Sequence, residues 1–61
     1  MKRRDLLLHL KKHDCSLLRE GGSHSIFVNN KTGKRTSIPR HSEIPSFTVN
    51  AICRQLMIPT P

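Results

Sequence analysis

Apolar and polar positions follow two different periods along this chain. In MKRRDLLLHLKKHD, Leu6, Leu7 and Leu10 share one stripe at i, i+1, i+4, which predicts a helix over residues 2–13. Lys11, Lys12 and His13 place basic groups in its last turn, where the negative end of a helix favours them. Asp14 suits the stop, because a short polar residue tolerates the left-handed conformation. Leu8 lies off the stripe, either as a lone surface apolar residue or as part of a partner interface. The period then shortens. Cys15–Glu20, His24–Asn29 and Lys34–Ile38 read as three short strands, with Pro39 stopping the third. Gly21-Gly22-Ser23 and Asn30-Lys31-Thr32-Gly33 are the turns between them. Beyond the proline-bearing loop PRHSEIPS at 39–46, Val49, Ile52, Cys53 and Leu56 recur at i, i+3, i+4, i+7. That period predicts a second helix over about 46–57. Its start is capped by Ser46 or already lies at Pro45, and Pro59 and Pro61 follow its end.

The expected order is therefore α-β-β-β-α, an α+β fold. Strands so close in sequence pair as a three-stranded antiparallel meander. Both helices bury their stripes on one face of that sheet, the only large apolar surface available. The other face and the loop edges are left for function.

Size narrows the picture. The 61 residues, taken as a single domain over 1–61, are 34% hydrophobic, with two Phe and neither Trp nor Tyr. A small aliphatic core near the lower size limit for independent folding is expected, and a partner that binds the folded form would stabilise it. Charge narrows it further. Eleven Lys and Arg against four Asp and Glu give a net +7, and the pI is about 10.5. One reading is a polyanionic partner, nucleic acid first and an anionic membrane surface second, and the other is a well-solvated basic surface. No apolar run approaches the ~18–20 residues of a membrane span, and no small-residue cleavage site follows Leu6–Leu8. A soluble, cytoplasmic chain without a membrane role is expected. Cys15 and Cys53 form no CxxC pair and occupy apolar positions, so they read as buried free thiols.

Candidate chemistry centres on GGSHSIF at 21–27. Phe27 is the largest apolar residue of its strand and should face the helices. Ser25 then shares its face, while His24 and Ile26 lie on the open one. A plain surface histidine is one reading of His24. An imidazole presented for proton transfer is the other. Gly21 and Gly22 let backbone approach a ligand closely. Lys31, Lys34, Arg35 and Arg40 flank the third strand and, with His41, bring positive groups toward His24. Arginine engages two phosphate oxygens at once, although Lys31 also fits a hairpin tip that only aids solubility.

Other chemistries are disfavoured. His9 and His13 stand at i, i+4, but HLKKH lacks the acid of a metalloprotease motif and two ligands fall short of a metal site. Asp5, Asp14, Glu20 and Glu43 form no spaced pair for Mg²⁺. Base-stacking aromatics are nearly absent. An RNA substrate would carry its own nucleophile, the 2′-OH. A nuclease then needs only an acid/base, such as His24, and a cation to stabilise phosphoryl charge, such as Arg40, Lys34 or Arg35.

The segments KRRDLLLHLKKHD, REGGSHSIF, TSIPRH and EIPSFTVNAICRQLMI together resemble HicA-type toxins, the small mRNA interferases of toxin–antitoxin pairs. The likeness covers essentially the whole length. It departs from the family at Cys15, where an aromatic is usual, and at Ser25 and Ile26, where another His or an aromatic often follows Gly-Ser-His. It implies a fold like a double-stranded-RNA-binding domain, His24 as the match to the family's catalytic histidine, and a HicB-type antitoxin covering the site. The expectation is a ribosome-independent mRNA endoribonuclease that needs no metal or other cofactor. His24 is its catalytic residue and His41 the candidate second acid/base. Gly22, Ser23, Lys34, Arg35 and Arg40 would contact the RNA. The free chain is expected to be a monomer that forms a hetero-oligomer with its antitoxin. A non-catalytic RNA- or DNA-binding module is the alternative. A third reading is an interaction protein anchored by Leu8 and by Phe47, which lies off the core stripe.

Overall fold

A computed structural model describes residues 1–61. The chain runs α1 (Arg3–Lys12), β1 (Cys15–Glu20), β2 (His24–Asn29), β3 (Arg35–Pro39) and α2 (Ser46–Leu56). The strands form one antiparallel sheet in the order β1-β2-β3. The α+β order, the meander and the strand spans at β1 and β2 match the sequence reading.

Both helices pack on the face that carries Ser25, Phe27 and Asn29 of β2 and Thr36 and Ile38 of β3, all buried. Phe27 thus faces the helices and Ser25 shares its side, as strand alternation requires. The core joins these residues to Leu6 and Leu10 of α1, Cys15 of β1, and Val49, Ile52, Cys53 and Leu56 of α2. Leu7 only packs against its margin. Cys15 and Cys53 are buried and free. Ile44, in the loop before α2, is buried as well.

The element ends differ from expectation for identifiable reasons. Helix α1 starts at Arg3 because the residues before it are drawn into a short ladder. Arg3 N–H donates to Ser42 O at 2.8 Å, Ile44 N–H donates to Met1 O at 2.8 Å, and Lys2 bridges Glu43. Asp14 ends the turn after α1 with φ +62°, the left-handed stop expected of it. Strand β3 begins one residue late. Lys34 stays in the hairpin, where its carbonyl accepts the Asn29 N–H and Gly33 takes φ +78°. Pro39 is the last residue of β3 rather than the residue after it. An edge strand tolerates a residue without an N–H. Pro45, not Ser46, is the N-cap of α2, and its carbonyl accepts the Thr48 and Val49 N–H groups. Helix α2 ends with Met57 at φ +60°, where Met57 N–H donates to Arg54 O and Ile58 N–H to Cys53 O. This pair of bonds is a Schellman closure.

Strand β1 carries a bulge. Cys15, Ser16 and Leu17 oppose Asn29, Val28 and Phe27, but Arg19 then opposes Ile26 and Glu20 opposes Ser25. One extra residue at Leu18 reverses the phase of the strand's end. Without it Glu20 would stand opposite His24. With it, Glu20 joins the helix-facing side beside Ser25.

Candidate functional site

His24 opens β2 on the exposed face, with Pro39 of β3 as its register partner. Its Nδ1 lies 3.1 Å from Ser23 Oγ. Its carbonyl accepts the Gly21 N–H at 2.9 Å, which closes the turn ahead of the strand. Gly21 is the tight position in this turn, since a Cβ there would meet His24 O at 3.3 Å. Gly22 has open space around it. Neither glycine takes a positive φ. The turn therefore leaves the face of Gly22 and Ser23 bare while its base is fixed on His24.

Arg40 is attached to the same turn. Its Nη2 donates to Gly21 O at 2.7 Å and to Glu20 Oε1 at 2.6 Å. The Glu20 Oε1 also accepts from Ser25 Oγ at 2.7 Å. The Ser25 hydroxyl accepts from Arg3 Nη2 at 3.0 Å, and Arg3 Nε donates to Pro39 O at 3.1 Å. Six residues, Pro39, Arg3, Ser25, Glu20, Arg40 and Gly21, thus form a chain of hydrogen bonds from the strand partner of His24 back to the turn that binds its carbonyl. The Ser25 hydroxyl bond, followed by the Arg40 and Arg3 charges, holds the Glu20 carboxyl below its usual range.

The remaining residues singled out from sequence fall into two groups. His41 is exposed and lies two positions past Pro39, at the His24 end of the sheet. Arg35 opposes Val28 and shares the open face with His24. It stands four residues along β2, about 13 Å away at a strand's rise per residue. Lys31 and Lys34 lie in the hairpin beyond it. The fold therefore holds Gly22, Ser23 and Arg40 at the turn that carries His24, with His41 two positions past its strand partner, and sets Arg35 at the far end of the same face with Lys34 in the hairpin beyond. Their expected reach to His24 itself does not hold, because β2 runs away from them.

Glu20, Ser25 and Arg3 were not singled out as site residues from sequence. Ser25 carried a usable signal, since a serine phased onto the buried face requires partners. Arg3 carried none, because its contacts span 22 and 36 positions of chain. A shallow basin of about 360 Å³ lined by Lys2, Arg3, Arg4 and Ser42 lies beside this end of the sheet. The Lys2 ammonium there is 3.0 Å from Glu43.

No three His, Cys, Asp or Glu side chains cluster as metal ligands. The His9 and His13 rings meet at a tilt of 60° with centroids 4.7 Å apart, and His9 Nε2–H donates to Pro59 O at 2.6 Å. His9 thereby ties α1 to the C-terminal segment. Leu8 and Phe47 are both exposed, Phe47 to 76%. No helix is long and apolar enough to cross a membrane.

No curated protein and no solved structure matched this chain. A family model described as HicA toxin of bacterial toxin–antitoxin matches residues 3–58, nearly the whole sequence. The chain belongs to the HicA family of toxins from bacterial toxin–antitoxin systems.

Proposed function

We propose that this chain is an mRNA endoribonuclease that acts without the ribosome and without a metal, with His24 as its catalytic residue. The observation that carries the reading is the placement of His24. An exposed imidazole opens β2 at the lip of a glycine turn, and a guanidinium is hydrogen-bonded to that same turn. Family membership supplies the toxin role, and the geometry supports a chemistry for it.

The 2′-OH of the RNA attacks the adjacent phosphorus and the bond to the 5′-oxygen breaks. One proton leaves the 2′-OH and one is delivered to the departing oxygen. His24 performs one of these transfers and His41 is the candidate for the other. Arg40 keeps Nη1 and Nε free for phosphate oxygens while Nη2 is engaged. It supplies the positive charge that the phosphoryl group needs as its negative charge grows. Gly22 and Ser23 offer close backbone approach at the turn. Arg35 meets a flanking part of the RNA along the open face, and Lys34 meets it from the hairpin. A HicB-type antitoxin covers this face and silences the toxin in a hetero-oligomer.

The test is cleavage of a defined RNA by purified wild-type and His24→Ala protein, each with and without excess EDTA. Wild type should cleave equally in both conditions, and a folded His24→Ala variant should not cleave. Activity that EDTA removes and Mg²⁺ restores would overturn the metal-free route. Undiminished cleavage by His24→Ala would overturn the assignment of His24. Binding that persists without cleavage in the wild type would mark a binding module instead.

A further inference from the structure

We propose that Glu20 is a positioning residue for RNA cleavage: its carboxylate fixes Arg40 on the Gly21 turn, where the cation meets phosphate beside His24, and at the same time weakens the attraction of the site for RNA. The proposal rests on the functional reading above and adds to it a residue with two opposed effects.

The geometry of Arg40 comes first. A single nitrogen, Nη2, spans Glu20 Oε1 at 2.6 Å and Gly21 O at 2.7 Å. The guanidinium is planar and rigid, so anchoring one corner sets the direction of the other donors. A free surface arginine has many rotamers and loses that freedom only when it meets substrate. Here the loss is taken on folding, which is what precise placement of a reacting group requires.

Glu20 is itself held. Its Oε1 accepts from the fully buried Ser25, whose hydroxyl is tied to Arg3 and through it to the Pro39 carbonyl. The β1 bulge brings Glu20 onto that side of the sheet. The carboxylate is thus positioned by three elements, not merely attracted to a nearby cation. An isolated surface ion pair would contribute little. This one joins the turn before His24 to the segment after His24's strand partner.

The opposed effect follows from charge. A carboxylate beside the guanidinium cancels part of the local field that draws a phosphate backbone. An acid here is unfavourable for affinity, and its presence in a chain with only four acidic residues is accounted for by position.

The experiment compares wild type, Glu20→Gln and Arg40→Lys. Gln keeps the size of Glu and an acceptor for Ser25, but it loses the charge that grips Arg40. Lys keeps the charge of Arg40, but its compact ammonium lacks the rigid fork. Binding is read with an all-2′-deoxy version of the substrate strand, which lacks the attacking hydroxyl. Cleavage is read as kcat and KM on the matching RNA. Glu20→Gln should bind the deoxy strand roughly threefold more tightly, with a steeper salt dependence, while kcat falls about tenfold. Arg40→Lys should retain affinity within about twofold and lose kcat to a similar degree. A merely structural role would lower the melting temperature without raising affinity. Unchanged kcat in Glu20→Gln, or weaker binding by it, would overturn the proposal, as would full activity of Arg40→Lys. If His24→Ala abolishes cleavage while Glu20→Gln cleaves like wild type, only the positioning role falls. If the wild type does not cleave, the functional reading falls and takes this role with it.

Discussion

Asn29 is polar and sits next to a hairpin turn, yet it is 97% buried, with 3% exposure. Its Nδ2 donates to Leu56 O at 2.7 Å and its Oδ1 accepts the Lys31 N–H at 2.9 Å. Leu56 is the last residue of α2, and a carbonyl at that position has no partner within its own helix. Asn29 therefore caps α2 from the sheet and shapes the β2–β3 hairpin with the same side chain. Replacing it by Ala removes two hydrogen bonds, each worth about 1 kcal/mol net. It also strands a buried carbonyl, which costs about 1–2 kcal/mol more. The expected loss is about 3 kcal/mol, against a total near 3–9 kcal/mol for a domain of this size. At about 4–8 °C per kcal/mol, the melting temperature should fall by roughly 12–24 °C. With no Trp or Tyr in the chain, far-UV circular dichroism in a urea titration is the assay, with the slope m expected to stay constant. Asn29→Asp adds a signed test. A buried carboxylate facing the Leu56 carbonyl has its folded-state pKa raised above ~3.9. The stability of this variant relative to wild type should then be highest below that unfolded value and be lost as pH rises through the folded one. A loss under about 0.5 kcal/mol in Asn29→Ala, which is typical of an unremarkable surface site, would refute the capping role.

Two further outcomes follow from burial and from placement. Burial pushes both thiols up from their ordinary pKa, with the Asp14 charge adding to the effect at Cys15. Iodoacetamide at pH ~8 should therefore alkylate the native protein far more slowly than the urea-unfolded chain, since only the thiolate reacts, and equal rates would contradict the packed positions of Cys15 and Cys53. Arg35→Gln should weaken RNA binding and lower its salt slope by about 1 with kcat nearly unchanged. A fall in kcat with unchanged affinity would instead place Arg35 at the reacting phosphate.

The helical periods were the most legible part of the fold. Leu6, Leu10, Val49, Ile52, Cys53 and Leu56, read from spacing alone, are all buried. Strand phase was legible where one large apolar residue set it, and Phe27 placed His24 and Ser25 on their correct sides. The same logic fails on β1. Leu17 and Leu18 are adjacent, similar and both exposed, so no apolar signal marks which is the bulged residue. Ile44 escapes for another reason. It is an isolated apolar residue between polar neighbours and a proline, and its burial follows from pairing with Met1 across 43 positions. Asn29 and Thr36 look like ordinary strand and turn residues, and only their partners on α2, Leu56 and Gln55, make them interior.

The distribution of charge explains why the site itself was only half legible. Net charge is a property of the whole chain and points to a polyanion, but it says nothing about which cation is held and which is free. At the His24 end of the sheet both glutamates are paired, Glu43 with Lys2 and Glu20 with Arg40. Along the open face Arg35 is exposed and no carboxylate pairs with it. Unpaired, mobile cations favour affinity, because each phosphate they neutralise releases counterions. A paired, anchored cation favours geometry, because its direction is set before the substrate arrives. The two kinds of charge therefore separate along one strand. Unpaired charge lies toward the hairpin and anchored charge lies at the histidine. A basic module built only to bind would have no use for an acid next to its best-placed arginine. Glu20, brought in by a bulge and fastened by Ser25 and Arg3, is what the proposed reaction at His24 would require of its arginine, and the Glu20→Gln comparison of affinity with kcat is where that requirement is tested.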